Sequence, residues 1–243
     1  MARALVTGGT GFVGGALAAE LRRAGCELDA LVRSPAKRAP LEALGARIVP
    51  GDLGDVAALA EAVRQADVVY HAAAVVRSRD PAEFERSNVD GTRRLLEACA
   101  RRPRGAPKVV LVSSQSAAGP SPDGHPLTED EPPRPVTAYG RSKLAQERLA
   151  EEYRGRVPVV VVRPPVVYGP GDRAVLTLFR LAMAGFSPRL LGGTRRNSMV
   201  HVEDLVQALR LAGERGAPGQ AYFVTDGEVH DTWALTRGIA RAL

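Results

Sequence analysis

Short apolar runs alternate with longer amphipathic stretches over most of the chain. Several runs are apolar at consecutive positions, as expected for parallel strands that are covered by helices on both faces. These runs lie at residues 4–7, 28–32, 47–49, 68–70, 109–112 and 157–162. Between them, helical periodicity predicts helices at residues 12–24, 57–65, 84–102 and 139–153. This alternation predicts an α/β fold with a doubly wound parallel sheet.

The pattern is weaker in the second half of the chain. A polar, proline-rich stretch at residues 119–135 predicts a long loop, and loops of that length in compact domains are usually functional. Beyond residue 171 we expect helices at 174–184, 202–213 and 232–242, with short strands at 189–191 and 222–224. The predicted organisation is a core at residues 1–170 and a small C-terminal lobe at residues 171–243, with some elements that return to the core.

A glycine-rich segment separates the first predicted strand from the first predicted helix. Gly8 and Gly11 allow a tight turn and a close approach to a pyrophosphate, and Gly14 allows the helix and the strand to pack closely. The helix N-terminus offers unpaired N–H groups and positive partial charge to the phosphates. The strand–turn–helix context predicts a dinucleotide site of the Rossmann type rather than an ordinary glycine turn. The candidate contacts in this segment are Gly8, Thr10, Gly11, Phe12, Val13 and Gly14.

The ends of the second and third strands bear on which dinucleotide binds. NAD enzymes commonly place a carboxylate about 20 residues beyond the glycine motif, against the ribose 2′-hydroxyl. Arg33 stands there instead, and Asp29 lies too early, inside the strand. A guanidinium binds a 2′-phosphate bidentately, so Arg33 favours NADP(H) over NAD(H), unless it stacks on the adenine or remains solvated. Asp52 and Leu53 follow the third strand and suit an adenine contact, with a simple turn as the alternative.

A tyrosine and a lysine lie four positions apart at the start of the helix predicted at residues 139–153. Tyr139 and Lys143 share a helix face, so the phenol and the ammonium can reach one site. The unperturbed pKa of a phenol is about 10, and a nearby cation lowers it by favouring the phenolate. Ser113 and Ser114 end the fifth strand, at the carboxyl edge where ligands bind in such sheets. These residues predict an acid–base site for a substrate carbonyl or alcohol.

Composition excludes several classes of function. The net charge is +6 and the isoelectric point is near 9.8, but acidic residues are interspersed with the basic ones, which argues against nucleic-acid binding. Cys26 and Cys99 are far apart, so we expect neither a zinc site nor a disulfide framework. Because Met1 leads directly into the first strand and no apolar run reaches about 18 residues, we expect no signal peptide, no membrane span and a cytoplasmic protein.

Together these motifs resemble the short-chain dehydrogenase/reductase superfamily, and more closely its extended branch, the NAD-dependent epimerase/dehydratase family. The resemblance covers nearly the whole chain. The matching segments are residues 7–14 (TGGTGFVG), 51–53 (GDL), 71–74 (HAAA), 88–92 (NVDGT), 113–114 (SS), 139–143 (YGRSK), 163–171 (RPPVVYGPG) and 200–204 (VHVED). So many matches in one order are highly specific.

The resemblance implies roles for individual residues. Tyr139 would be the general acid and base, Lys143 would lower its pKa and hold the nicotinamide ribose, and Ser114 would hydrogen-bond the substrate oxygen. His71 and His201 would be structural residues rather than metal ligands, and no metal site is expected. Further residues would lie against the cofactor or support the strands around it: Ala72, Ala73, Ala74, Asn88, Pro164 and Val166.

The chain ends sooner after its last strand than extended members usually do, which predicts a shortened substrate lobe. The favoured function is an NADP(H)-dependent oxidoreductase that acts on the carbonyl or alcohol of a small molecule. An NAD-dependent nucleotide-sugar epimerase or dehydratase is the alternative, and Arg33 and the small lobe argue against it. A non-catalytic cofactor-binding module is a third possibility, which the intact Ser114, Tyr139 and Lys143 disfavour. Family members often pair through the helices at residues 84–102 and 139–153, so we expect a homodimer.

Overall fold

The structure, a computed structural model, describes residues 2–172 and 196–231. The strands in this part are β1 Arg3–Thr7, β2 Glu27–Val32, β3 Arg47–Pro50, β4 Val68–His71, β5 Lys108–Val112, β6 Val159–Arg163, β7 Val166–Tyr168, β8 Arg196–Asn197, β9 Met199–His201, β10 Ala221–Phe223 and β11 His230–Asp231. Seven of them form one parallel sheet in the order β10-β6-β5-β4-β1-β2-β3. The strand order reverses between β1 and β4, where doubly wound sheets bind their ligands.

Helices cover both faces of this sheet. They are α1 Phe12–Arg23, α2 Ala39–Ala43, α3 Val56–Val63, α4 Pro81–Phe84, α5 Asp90–Ala100, α6 Gln115–Ala118, α7 Ala138–Glu152 and α8 Val202–Arg215. The helices α3, α5 and α7 pack on one face, whereas α1 and α8 pack on the other. Within the described ranges, no helix combines the length and the apolar character needed to cross a membrane.

The central strands contribute side chains to two separate cores. On β5, Val109 and Leu111 pack with α3, α5 and α7, while Val110 and Val112 pack with α1 and α8. All four side chains are buried. Burial on both faces explains why the strands read as unbroken apolar runs, and the doubly wound parallel sheet expected from the sequence is confirmed.

Most predicted elements are present with small shifts at their ends. The segment at residues 119–135 contains no helix or strand, as expected for a loop. From beyond residue 171, β10 joins the main sheet beside β6, and α8 packs on its face. The division into a core and a lobe at residue 170 stays a prediction. The elements expected at residues 174–184, 189–191 and 232–242 lie outside the described residues.

The helix expected at residues 84–102 is present, but it starts earlier, ends sooner and is not α-helical throughout. The chain forms α4, then a π-helical turn at Glu85–Val89, and then α5. Within this turn, the Asn88 carbonyl accepts hydrogen bonds from Thr92 Oγ1 at 2.7 Å and from Gln146 Nε2 at 3.2 Å. Turns of this type are rare and occur mostly at functional sites. Hydrophobic periodicity does not reveal them, because the turn is widened by a single residue.

Two small sheets lie beyond the main one. β7 pairs with β9 in parallel, and β8 pairs with β11 in antiparallel orientation. Their strands are two or three residues long, too short to produce a recognisable alternation in the sequence. The β7–β9 pair places residue Val166 beside Met199 and directs the chain that follows β6 along the carboxyl edge of the main sheet.

The core on the α8 face predicts a difference between two leucines of one helix. Leu209 is 0% exposed and packs against the sheet, whereas Leu211 is 39% exposed. Leu209→Ala should lower the free energy of unfolding by about 2–5 kcal/mol, and Leu211→Ala by less than about 1 kcal/mol, since only the first leaves a cavity. Urea unfolding curves of both variants measure this, and equal losses would contradict the packing.

Candidate active site

The predicted site residues converge on the carboxyl edge of the main sheet. The strands β1, β4 and β5 are neighbours there and end at Thr7, His71 and Val112. Because parallel strands all end at the same edge, residues 8–14, 72–74 and 113–114 lie side by side. The helix α7 runs antiparallel to the strands it follows and precedes, so its N-terminus, with Tyr139, lies at this edge as well.

The glycine segment after β1 is shaped by contacts that exclude side chains. Gly8 has a φ of +76°, and a Cβ there would lie 2.6 Å from the backbone nitrogen of Ala73. A Cβ on Gly14 would lie 2.2 Å from the carbonyl oxygen of Gly8. The Gly11 N–H donates to that same carbonyl at 2.9 Å. The turn is therefore bare backbone, packed against the segment that follows β4.

The first turn of α1 has unpaired donors. Its N-cap, Gly11, has no side chain to accept them, whereas Asp55 caps α3 and Thr137 caps α7. N–H groups at an uncapped helix N-terminus attract an anion, and the positive end of the helix dipole adds to this attraction. The bare turn and the uncapped helix together fit the pyrophosphate of a dinucleotide. The residues of this turn that are at least partly exposed are Gly8, Thr10, Gly11, Phe12 and Val13, whereas Gly14 is buried.

Arg33 follows β2 at the same edge and is exposed. Within the described part of the chain, its side chain makes no hydrogen bond or ion pair. Asp29, earlier in β2, is 1% exposed and is bound by Arg47, with 2.8 Å between Arg47 Nη2 and Asp29 Oδ2. The Asp29 carboxylate is thus not available to a ribose, and the end of β2 presents a cation.

Asp52 and Leu53 stand beyond β3 and point in different directions. Asp52 is exposed, and its Oδ1 accepts a hydrogen bond from the Gly54 N–H at 2.8 Å, which holds the carboxylate in a turn. Leu53 packs against α5, since a Cβ on Gly91 would lie 2.8 Å from Leu53 Cδ1. The exposed Asp52 carboxylate is accessible to an adenine. Leu53, in contrast, packs largely against the core.

Ser114, Tyr139 and Lys143 lie together at the centre of this edge. Ser114 caps the short helix α6, and its Oγ accepts from the Ser116 N–H at 3.1 Å. The Lys143 ammonium lies 5.9 Å from the centre of the Tyr139 ring. Burial raises the pKa of Tyr139, and a hydrogen bond with Ser114 opposes that rise. The structure therefore brings the three residues together, and their catalytic roles stay predictions. The expectation that Lys143 lowers the pKa of Tyr139 is wrong, because burial of the phenol dominates and the net change is a rise.

Lys143 is a buried cation. It is 3% exposed, and its Nζ donates to the carbonyl of Val112 at 2.9 Å. Burial lowers its pKa to about 8, and the negative charge of Glu147 partly opposes the change. Glu147 is itself engaged by Arg163, with 2.8 Å between Arg163 Nη2 and Glu147 Oε2, and by the hydroxyl of Ser113. No carboxylate of the described residues therefore forms an ion pair with Lys143.

His71 belongs to a buried chain of hydrogen bonds whose direction can be assigned. Thr92 Oγ1 donates to the Asn88 carbonyl at 2.7 Å, so it accepts from His71 Nε2, which lies 2.8 Å away. His71 Nδ1 then has no proton and accepts from Thr7 Oγ1 at 2.7 Å. Burial, and next the charge of Lys143, lower the pKa of His71 to about 3, so the ring is neutral.

Both ring nitrogens of His71 are thus occupied, which gives the residue a structural role. In residues 2–172 and 196–231, no three His, Cys, Asp or Glu side chains gather as a metal site would require. His201 caps α8, where its Nδ1 lies 3.4 Å from the Glu203 N–H.

Asn88 holds the segment that follows β4. Its Oδ1 accepts from the Val75 N–H at 2.7 Å, and its Nδ2 donates to the Val75 carbonyl at 3.0 Å. The same Nδ2 donates to Ser142 Oγ at 3.0 Å, between the positions of Tyr139 and Lys143 on α7. Asn88 therefore ties this segment to α7, and its expected contact with a cofactor stays a prediction. The alanines held by this arrangement are Ala72, Ala73 and Ala74.

Pro164 and Val166 approach the serine from the β6 side. The Gln115 N–H, next to Ser114, donates to the carbonyl of Pro164 at 2.9 Å. Pro164 itself is buried, whereas Val166 is 41% exposed. Of this pair, Val166 is the residue with a side chain open to a ligand.

Several residues of this site were not singled out from the sequence. Glu147 and Arg163 form a buried ion pair behind Lys143, and Thr92 and Gln146 complete the polar chain around Asn88. One signal was present for Glu147, because it lies one helical turn after Lys143 on the same face of α7. The partners of Thr92 and Gln146 depend on the π-helical turn, which the sequence did not reveal.

A bare glycine turn that opens a helix, placed at the switch point of a parallel sheet, defines a dinucleotide-binding protein of the Rossmann class. The chain belongs to the NAD-dependent epimerase/dehydratase family, whose model matches residues 4–225. This identification confirms the family that the sequence motifs resemble.

Relatives in this family include reductases and epimerases. The chain is 37% identical to a 4-hydroxy-2-methyl-3-oxo-4-farnesyl-3,4-dihydroquinoline-1-oxide ketoreductase of Stigmatella aurantiaca, over 93% of this chain and 68% of the relative. It is 36% identical to a ceramide reductase of Caulobacter vibrioides, over 84% of this chain and 58% of that protein. The structure of Thermus thermophilus UDP-glucose 4-epimerase in complex with NAD superposes with a TM-score of 0.87 at 27% identity, over 99% of this chain and 83% of that one.

The buried Lys143 predicts a distinctive dependence of stability on pH. Its pKa is about 8 in the folded protein and has an ordinary value of 10.5. Between these values the unfolded chain holds a proton that the folded protein has released, so the Lys143 contribution to the unfolding free energy rises with pH. Relative to wild type, Lys143→Met should therefore be more favourable at pH 7 than at pH 10.

Urea unfolding of wild type and variant at both pH values measures this change. Loss of the hydrogen bond to Val112 also destabilises the variant at both pH values. The test is therefore whether the difference in unfolding free energy between variant and wild type changes from pH 7 to pH 10, and not whether it is positive or negative at one pH. Lys37→Met, at an exposed position, is the matched control and should show no such change. A Lys143→Met difference that is constant with pH would contradict a buried ammonium.

Proposed function

We propose that the protein is an NADP(H)-dependent oxidoreductase that interconverts the carbonyl and the alcohol of a small-molecule substrate. The observation that carries this proposal is the grouping of Ser114, Tyr139 and Lys143 beside the bare glycine turn at one edge of the sheet. Family membership supports the cofactor class, and the ketoreductase and ceramide reductase relatives support the reaction class.

The side chains supply the proton and stabilise the charge in this reaction. Tyr139 Oη gives its proton to the substrate oxygen on reduction and takes it back on oxidation. Ser114 Oγ accepts from the Ser116 N–H and its hydroxyl also hydrogen-bonds Tyr139, so a substrate oxygen bound between the two hydroxyls would receive a hydrogen bond from Ser114 in place of the phenol. The ammonium of Lys143 stabilises the phenolate that remains. When bound, the nicotinamide cofactor supplies the hydride.

The residues at the glycine turn and at the ends of β2 and β3 would hold the cofactor. The N–H groups at the start of α1 would bind the pyrophosphate, and Arg33 would bind a 2′-phosphate. The preference for NADP(H) rests on the free guanidinium of Arg33 and on the engagement of Asp29 by Arg47. The remaining proposed contacts are those at Asp52, the alanines after His71, Asn88, Pro164 and Val166.

Apolar side chains at the mouth of the site favour an apolar substrate. Val76, Val136 and Val166 are 59%, 68% and 41% exposed. Each is linked to the site by chain or hydrogen bond: Val76 follows Val75, Val136 precedes the cap of α7, and Val166 lies next to the Pro164 segment. Exposed apolar groups around a polar centre bind an apolar ligand body better than a sugar diphosphate.

The alternative is a nucleotide-sugar epimerase or dehydratase that retains NAD through its cycle. The likeness to the UDP-glucose 4-epimerase structure favours it. NAD that copurifies with the protein and is not displaced by NADPH would support this alternative over the reductase.

The homodimer expected from the family also remains a proposal. Leu95 and Leu149 lie in the core against the sheet, so they are not available to a dimer face. Any pairing through α5 and α7 must use the outer faces of these helices.

Removal of the Tyr139 hydroxyl tests the proposed acid–base role. Tyr139→Phe should lower turnover of a carbonyl substrate by at least about a hundredfold, because the proton donor is lost while the ring remains. Its dissociation constant for NADPH should stay close to that of wild type. A panel of apolar ketones with NADPH provides the assay. Near-wild-type turnover of the variant would contradict the acid–base role of Tyr139.

Removal of the Arg33 guanidinium tests the proposed cofactor preference. Arg33→Ser should weaken NADPH binding by about tenfold to a hundredfold, the effect of losing a charge-assisted contact, and should leave NADH binding nearly unchanged. Arg38→Ser is the matched control, since Arg38 is paired with Glu42 at 3.1 Å. Fluorescence titration of wild type and both variants with each cofactor gives the six dissociation constants. An equal loss for NADPH and NADH, or a wild-type preference for NADH, would overturn the preference.

A further inference from the structure

A groove of about 500 Å³ lies between α3 and the C-terminal end of α5. Its rim carries five arginines, four from the turns where these helices end and one from within α5. β4 and β5 begin shortly after those turns, so the groove lies at the amino edge of the sheet, opposite the proposed active site. The arginines are Arg64, Arg94, Arg101, Arg102 and Arg104.

Positive charge dominates this groove. Among the residues that line it, Glu97 is the only carboxylate. Within residues 2–172 and 196–231, the side chains of Arg94, Arg101 and Arg104 make no hydrogen bond or ion pair. Arg64 is neutralised by Glu61, at 2.8 Å. Several guanidinium groups therefore share one concave surface without matching negative charge in that part of the chain.

Arg102 is fixed in place without being neutralised. Its Nη1 donates to the backbone carbonyl of Ala66, which is buried between α3 and β4. A carbonyl orients the guanidinium but leaves its full charge, so Arg102 is preorganised for an anion. Its Nε is buried and has no hydrogen-bond partner among the described residues.

Apolar side chains form another part of the lining, here called the floor. They are Val56, Ala60, Val63 and Ala98, of which Val63 is buried and Val56 is 60% exposed. The volume is within the range of small-molecule sites, roughly 300–1,000 Å³. Guanidinium groups bind phosphate oxygens bidentately, and an apolar floor binds an apolar or aromatic body.

We propose that this groove binds a small molecule with a diphosphate group on an apolar or aromatic body. The arginines of the rim bind the phosphates, and the floor contacts the body. A nucleoside diphosphate and a prenyl diphosphate share this chemistry. The site is separate from the dinucleotide cradle, which lies at the opposite edge of the sheet, and it does not depend on the proposed reaction.

Calorimetric titration of the protein with inorganic pyrophosphate, ADP and geranyl diphosphate tests the proposal. The titrations are made with one equivalent of NADPH, which occupies the glycine turn without an excess that would compete for the groove. Saturable binding of pyrophosphate is expected, with tighter binding of ADP or of geranyl diphosphate according to which body the floor accepts.

The variant that isolates the groove is the double substitution Arg101→Ser/Arg104→Ser. Both residues are exposed, so the fold should be unaffected. We expect its dissociation constant for the best probe to rise at least about tenfold. The control is Arg148→Ser/Arg215→Ser, which removes the same charge from exposed positions outside the groove.

The control should change the constant by less than about twofold. An equal loss in both double variants would show binding by net charge alone and would overturn the proposal. The absence of saturable binding of all three probes at millimolar concentration would overturn it as well.

Discussion

The hydrogen bond from the Lys143 ammonium to the Val112 carbonyl is the interaction on which the active-site edge depends. A buried ammonium is costly to desolvate, and here a backbone carbonyl at the end of β5 receives it, with no carboxylate of the described residues in an ion pair with it. This hydrogen bond fixes the position of α7 along the direction of β5. Because Tyr139 lies one turn earlier on the same helix and Ser114 lies just beyond the same strand, the contact also brings the phenol and the hydroxyl together.

A cation buried here constrains its neighbours. His71 is neutral because burial and the charge of Lys143 both lower its pKa, and a neutral ring needs one donor and one acceptor. Thr7 and Thr92 provide them, so the end of β1 is joined to β4 and to the helix α5. Through Asn88 the same chain reaches Ser142 on α7. The strand that leads into the glycine turn and the helix α7 are thus parts of one hydrogen-bonded unit, although they are distant in sequence.

The sequence predicted the features that depend on local pattern or on a specific spacing. The buried strands follow from unbroken apolar runs, and the meeting of Ser114 with Tyr139 and Lys143 follows from strand ends at one edge and from a helical spacing of four. The π-helical turn at Glu85–Val89 and the Glu147–Arg163 pair were missed. Each depends on a residue from another element of the fold. The π-helical turn is hydrogen-bonded by Gln146 of α7, and the partner of Glu147 is Arg163 at the end of β6. Local periodicity carries no information about such partners. The strands β7 and β9 were missed because three residues show no periodicity.

The protonation state of Tyr139 bears on the direction of the proposed reaction. Burial raises the pKa of the phenol above its ordinary value, and the hydrogen bond with Ser114 does not cancel the rise. At neutral pH the phenol is therefore protonated, as a proton donor for carbonyl reduction must be. Oxidation of an alcohol requires the phenolate, which is disfavoured in a buried site unless Lys143 remains charged beside it. Since the pKa of Lys143 is about 8, its charge decreases as the pH rises through that value, just where a phenolate would need it more. In the proposed reaction, burial thus keeps Tyr139 in the protonated form that carbonyl reduction uses at neutral pH.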